Sequence, residues 1–441
     1  MRVAFVPIDN RPVCYTLPEI ISKIDSDIEF FITPRSMLGD LTKSADIKGL
    51  FDWLFGLPSQ DAIILSLDTL AYGGLIPSRR CSSTFEQIRL RLETLNEILK
   101  QKNAKIYAFS SIMRISNNNY NQEEKEYWQN WGKMIFEYSY NLHKNGVAQT
   151  TVPDEILNDY ITTRERNFEI NKLYLNWDLF DTLVFSKDDC AKYGLNVLES
   201  QVLESMGGVT KTGADEIPLS LLARAICKKV KICPIFLEPE SENLISNYED
   251  VSIKESVRGQ IELAGCKCCE QNEADILLFV NNFKDHQGEI VMGVDTESFA
   301  KDFEMPDRPY MIADVRFANG ADNEFVKAFF KNKINDKNFY GYSAWNTSAN
   351  SLGSLICGAK FKFLAKKYDK NVFQKLQVTR FLDDWAYQAN VRQTLVKPDL
   401  ELLCKSMKKY ELILEKELGT RINAKYSYPW NRLFEVEVEL N

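Results

Sequence analysis

Residues 2–8 read Arg2-Val3-Ala4-Phe5-Val6-Pro7-Ile8 and run into Asp9-Asn10-Arg11. Residues 61–67 read Asp61-Ala62-Ile63-Ile64-Leu65-Ser66-Leu67 and run into Asp68. Short apolar runs of this kind, set between longer amphipathic stretches, read as buried parallel strands. The pattern recurs where Thr182–Ser186 leads to Asp188-Asp189 and where Tyr310–Ala313 leads to Asp314. A fifth acidic cluster, Gly213-Ala214-Asp215-Glu216, follows a glycine turn. In α/β folds the carboxyl ends of parallel strands lie together, and ligands bind there. The expected fold class is therefore α/β, and the placement of the acids points to an enzyme.

Further strands are expected near residues 28–33, 104–111, 208–212, 231–237, 275–282 and 339–344, mostly separated by helical patterns. Phe85–Lys100 carries Ile88, Leu92, Leu95 and Leu99 on one helical face. Glu123–His143 reads as a second amphipathic helix, and shorter ones are expected at Leu17–Ile24, Leu219–Lys229 and Asp322–Lys331. Eight or more β/α units predict a (β/α)8-like barrel, with two doubly wound sheets as the alternative. From about Ser351 the texture becomes helical, over Leu355–Lys367, Val372–Arg392 and Asp399–Leu418, and closes with an alternating strand, Leu433–Leu440. The expected division is an α/β catalytic domain over 1–350 and a mainly helical subdomain over 351–441.

At 441 residues the chain can bury a large core, and a net charge of −8 disfavours nucleic acid, whose phosphates need a basic footprint. There is no leader pattern and no apolar run of membrane-spanning length, so a cytoplasmic protein with no membrane partner is expected. The ten cysteines are scattered, which suits buried thiols in a reducing compartment. Cys266-Lys267-Cys268-Cys269 has no partner cluster at metal-ligand spacing, so a structural role is expected for it. Only His143 and His286 are present. A Ser-His-Asp hydrolase needs a placed imidazole and zinc hydrolases usually need several, so acid–base work falls to carboxylates.

Two adjacent acid pairs are the catalytic candidates. In the turn after Gly213, Asp215 and Glu216 can converge, so that one is held protonated and the other ionised, as glycoside hydrolysis requires. The competing reading is a helix cap before Leu219–Lys229. Asp188 and Asp189 offer the same choice at another strand end, with a Mg²⁺ site as a third reading. Asp9, Asn10, Arg11, Asp68, Tyr72, Arg79, Arg114, Asp314, Asn319, Trp345 and Asn346 are the candidate substrate-binding residues. Carboxylates and amides bind hydroxyls, and an aromatic face such as Trp345 stacks on a sugar ring. The competing reading for Trp345 is core packing. Asp383-Asp384-Trp385 and Pro429-Trp430-Asn431-Arg432 are expected to dock the helical region.

The segments Val6-Pro7-Ile8-Asp9-Asn10-Arg11-Pro12, Ser66–Leu75, Gly213–Glu216, Asp314–Asp322 and Trp345–Asn350, in this order, resemble the bacterial family known as domain of unknown function 4127. That resemblance spans nearly the whole chain and implies that the strand-end motifs belong together; it implies no activity. Locally, Gly213-Ala214-Asp215-Glu216 is similar to the Gly-Gly-Asp-Glu motif of the family 20 β-hexosaminidases. That similarity implies Glu216 as the general acid and Asp215 as the residue orienting the substrate's acetamido group. Ala214 departs from the motif. Asp188-Asp189 is similar to the adjacent aspartates of the family 84 hexosaminidases. The leading expectation is a cofactor-free glycoside hydrolase acting on a small glycoside, such as an N-acetylhexosaminide. The alternatives are a Mg²⁺-dependent hydrolase or transferase of phosphorylated small molecules, with Asp9, Asp68 and Asp188 on the metal, and a non-catalytic sugar-binding protein.

Overall fold

The computed structural model describes residues 1–334 and 337–440. Two compact units divide the chain. The first comprises residues 1–15, 29–218 and 248–250; the second comprises residues 16–28, 219–247 and 251–441. The boundary expected at residues 350 and 351 falls inside the second unit, within the helix Ser348–Leu364.

The first unit is built on six parallel strands: β1 (Arg2–Val6), β2 (Glu29–Ile32), β3 (Ala62–Ser66), β4 (Lys105–Ile112), β5 (Thr182–Lys187) and β6 (Val209–Thr212). They lie in the order β2-β1-β3-β4-β5-β6. Every residue of β3 is buried, and so is all of β4 after its first residue. This is why both read as unbroken apolar runs: a parallel sheet is covered on both faces. The helix Phe85–Lys100 starts at a capping box between Thr84 and Gln87 and buries Ile88, Leu92, Leu95 and Leu99.

The second unit is also a parallel sheet. Its strands are β7 (Lys231–Phe236), β8 (Lys267–Cys268), β9 (Ile276–Asn281), β11 (Tyr310–Asp314) and β13 (Phe339–Ser343), in the order β8-β7-β9-β11-β13. Two short strands, β10 (Gly288–Glu289) and β12 (Phe317–Ala318), form a separate parallel ladder. Helices Ser348–Leu364 and Lys370–Arg380 follow, and the latter runs on as a π-helix over Phe381–Val391. After Leu400–Leu418, strands β14 (Ala424–Ser427) and β15 (Glu437–Leu440) pair antiparallel. The core here is aromatic, with Tyr342 stacked on Phe381 at a centroid distance of 4.5 Å.

The pairings follow the two-sheet alternative. Each sheet reverses once, at β1 or β7, and keeps two edge strands; no closing pair of a barrel occurs among the described residues. Such a reversal is the topological switch point, where open α/β sheets bind ligands beyond the carboxyl ends of the strands. No helix among the described residues is long and apolar enough to cross a membrane.

Candidate active site

At the switch point of the first unit, the chain leaving β1 buries Asp9 and Arg11. The Arg11 backbone N–H donates to Asp9 Oδ1 at 2.9 Å, and its Nε donates to Oδ2 at 2.8 Å. Its outer nitrogens reach Asp215, at 2.6 Å to Oδ1 and 3.2 Å to Oδ2. One planar guanidinium thus clamps two carboxylates. Burial raises the Asp9 pKa, with Arg11 pulling the other way and the Asp215 charge adding to the rise. The Asn10 carbonyl accepts from Arg35 Nε at 3.0 Å.

Asp215 and Glu216 part company. Asp215 faces Arg11, while Glu216 is 0 % exposed and its Oε2 accepts from the Ala214 N–H at 3.2 Å. Gly213 turns the chain at φ +102°, and a Cβ there would overlap the Glu216 carboxylate. The two acids therefore do not face a common space, and the helix Ile217–Ala225 begins directly after them.

Beyond β3, Asp68 opens the buried helix Leu67–Tyr72, which is capped by Ser66. Its Oδ2 accepts from the Ser111 N–H at 2.8 Å. Burial pushes Asp68 up to about 7, against the pull of that hydrogen bond. Tyr72 is buried as well. Gly73 and Gly74, at φ +91° and +136°, then turn the chain into the helix Leu75–Arg80. Only glycine takes such angles without strain, and the turn brings Arg79 back under the strand ends.

Arg79 and Arg114 gather the remaining acids. Arg79 Nη1 donates to Glu124 Oε1 at 2.6 Å. Arg114, just after β4, donates from Nε to Glu124 at 3.0 Å and from Nη2 to Glu123 at 2.9 Å. Its Nη1 lies 3.4 Å from Asp188 Oδ2 and 3.2 Å from Asp189 Oδ2. Burial works against the Arg114 charge, but Glu123, Asp189, Glu124 and Asp188 outweigh it and hold its pKa well above the usual value. Ser116 Oγ donates to Asp189 at 2.9 Å. Asp188 is pushed up to about 7, by burial first and then by the Asp189 charge, with Arg114 opposing. The side chains of Asp188 and Asp189 remain 24 % and 29 % exposed. Asp189 sits at φ 43°, a left-handed backbone that costs a non-glycine residue energy and tends to be kept at functional sites.

Glu123, Glu124, Ser111 and Ser116 were not singled out by sequence reasoning. Glu123 opens a stretch that reads as helix, but the helix begins at Trp128, and both glutamates lie in the preceding turn. The polar loop Asn117–Asn121 was the available signal. Glu199 faces Arg164 instead of this cluster, with Nε–Oε1 at 2.6 Å.

Asp314, Asn319, Trp345 and Asn346 belong to the second unit. Asp314 is buried and accepts from Asn281 Nδ2, Tyr342 Oη and the Asp322 N–H at 2.8, 2.9 and 2.9 Å. Burial pushes it up to about 7. Arg316 bonds Asn281, Glu238 and the Glu297 carbonyl, and Asp322 caps the helix Asn323–Phe330. This network ties together the strand ends of its own sheet. Trp345 is buried, edge-on to Phe434 at 6.2 Å, so its ring serves the core and not an open sugar platform. The left-handed backbones of Asn319 and Asn346 are joined by an N–H to carbonyl bond of 2.8 Å. Asp383 and Asp384 are buried around Arg380 on the π-helix. His286 is exposed, and its Nε2 lies 2.8 Å from the Asp295 carbonyl oxygen.

Among the described residues, no group of three His, Cys, Asp or Glu side chains is placed to share a metal ion. Asp9, Asp68 and Asp188 are each engaged separately, with Arg11, Ser111 and Arg114.

Comparison with curated proteins and with solved structures returns no match. A family model described as a protein of unknown function (DUF4127) matches residues 3–439, and the chain therefore belongs to that family.

Proposed function

We propose that this protein is a glycoside hydrolase whose acid–base pair is Asp188 and Asp189. The observation that carries the reading is the state of Asp188. It is a partly open carboxyl at a strand end, with a pKa of about 7, beside a second carboxylate on the same Arg114 nitrogen. A carboxyl that keeps its proton near neutrality, set beside a second carboxyl, is the kind of pair that glycosidic cleavage employs. Asp188 gives its proton to the leaving oxygen as the C–O bond breaks. Asp189, fixed by Arg114 and Ser116, supplies the carboxylate that meets the positive charge growing at the anomeric carbon. Water completes the exchange and restores the Asp188 proton.

Asp215 and Glu216 have the weaker claim, because Glu216 is closed off and Asp215 is clamped by Arg11. The N-acetylhexosaminide expectation drew on both acid pairs, and the part of it that rested on Asp215 and Glu216 is not carried forward. A phosphorylated substrate is less well supported, because Arg11, Arg79 and Arg114 already face an equal or larger number of carboxylates. A dianion would have to compete with them. No disulfide joins any of the ten cysteines, which suits the reducing cytoplasm that we infer as the compartment.

The reading is tested by 4-nitrophenol release from a panel of aryl glycosides with and without EDTA. Turnover that survives EDTA and falls about 10²–10⁴-fold in Asp188→Asn is expected. No turnover of any glycoside sinks it.

A further inference from the structure

Arg79 is 2 % exposed, yet its Nε and Nη2 make no hydrogen bond. These two nitrogens form one edge of the guanidinium, the side-on fork that takes a carboxylate through two parallel bonds. The opposite nitrogen, Nη1, already holds Glu124 at 2.6 Å. Glu123 lies 3.8 Å from Nη2, beyond hydrogen-bond reach, and turns its Oε2 to Arg114 at 2.9 Å. Leaving such donors buried and unmatched is unfavourable, so the fork calls for an acceptor. Two more donors without a protein partner lie in the same neighbourhood. The hydroxyls of Tyr72 and Tyr174 are both buried, and each is electrostatically coupled to Asp68, as Arg79 is. The two Arg79 nitrogens can only donate, and each tyrosine hydroxyl is able to donate. One water accepts two hydrogen bonds; a carboxylate accepts about four.

We propose, building on the glycosidase reading above, that the free edge of Arg79 receives the carboxylate of the substrate, which is a glycoside of a uronic acid. A single negative charge fits where a phosphate dianion does not, because Glu123, Glu124 and Asp189 stand close by around Arg114. The neighbouring acids Asp188 and Asp189 would then act on the glycosidic bond of the same sugar. No covalent chemistry is asked of Arg79; it selects and orients.

Two measurements test the proposal. The first compares kcat/KM for 4-nitrophenyl α- and β-glucuronides with that for the matching glucosides, in the wild type and in Arg79→Lys, which keeps the charge and loses the fork. The wild type should favour the uronide by roughly 10-fold or more, and Arg79→Lys should reduce that ratio by roughly 10-fold, the worth of a charge-assisted pair. Equal turnover of both sugars, with a ratio unmoved by Arg79→Lys, overturns the uronide assignment and leaves the glycosidase standing. The second needs no variant and no turnover: thermal stabilisation of the wild type by D-glucuronate against D-glucose at equal concentration. Greater stabilisation by glucuronate supports the carboxylate site even if the panel shows no hydrolysis, an outcome that defeats only the glycosidase. Equal or absent shifts overturn the site itself.

Discussion

Asp188 and Asp68 show how the same side chain acquires different duties from its surroundings. Both are pushed up to about 7 by burial. Asp68 is sealed and tied to the Ser111 N–H, whereas Asp188 keeps an open edge and shares Arg114 with Asp189. Of the two, only Asp188 has an exposed edge, as the proposed acid requires. In the proposed mechanism Asp188 must be protonated, so kcat/KM should fall as pH rises through about 7. The Asp189 charge raises the Asp188 pKa, and Arg114 lowers it. Asp189→Asn should therefore move the alkaline limb to lower pH in whatever activity remains, and Arg114→Gln should move it higher. A limb that stays put in both variants would exclude Asp188 as the titrating acid. At this scale the sequence was legible in kind and not in partnership. Acids at strand ends could be read from the apolar runs before them. That Arg11 would clamp Asp215, 204 residues away, could not. Nor could the turning-in of Glu216, which depends on one backbone angle at Gly213.

Among the elements, the strands were the most readable. All eleven expected strands occur at least in part, and β3 and β4 were the plainest because buried parallel strands leave continuous apolar runs. Three of the elements that were missed each have their own physical cause. The helix Asp154–Leu175 buries Thr163, Arg164, Asn167 and Asn171 as well as apolar residues, which breaks the apolar stripe. The helix Leu67–Tyr72 is buried on every side and continues the apolar run of β3 without a change of period. Strand β8 has two residues, too few for a period. Turn chemistry can be tested directly at Gly213. Alanine there must adopt a positive φ and push aside the Glu216 carboxylate. Gly213→Ala is expected to cost about 1–3 kcal/mol in urea unfolding; an unchanged midpoint and slope would show that the turn relaxes freely.

For the whole molecule, local pattern counted the strands but not how they close. A barrel and two doubly wound sheets present the same alternation of apolar runs and helices, and only strand order separates them. Here the same order appears twice: β2-β1-β3-β4-β5 in the first unit and β8-β7-β9-β11-β13 in the second. Each unit also buries acids, some at strand ends and some on helices. Asp68, Asp188, Glu199, Asp314 and Asp383 are pushed to about 7 and Asp384 to about 6, each chiefly by burial. A carboxyl with a raised folded-state pKa binds its proton more tightly folded than unfolded. Its contribution is therefore greatest below the unfolded value near 3.8 and is lost as pH rises through the folded value. Asp25 and Asp40 shift the opposite way, but fewer groups do so and both are less buried. The midpoint of thermal unfolding should accordingly fall as pH rises from about 5 to 8. A midpoint that climbs over that interval would mean that these acids are already ionised in the folded protein.

The central claim is that Asp188 is the acid of a carboxylate glycosidase, and it is met most directly by aryl-glycoside turnover in the presence of EDTA, wild type against Asp188→Asn. The expected result is chelator-insensitive release of 4-nitrophenol that is lost about 10²–10⁴-fold in the variant while the folded protein still binds the sugar. Undiminished turnover in Asp188→Asn, or no release from any glycoside by the wild type, would contradict it.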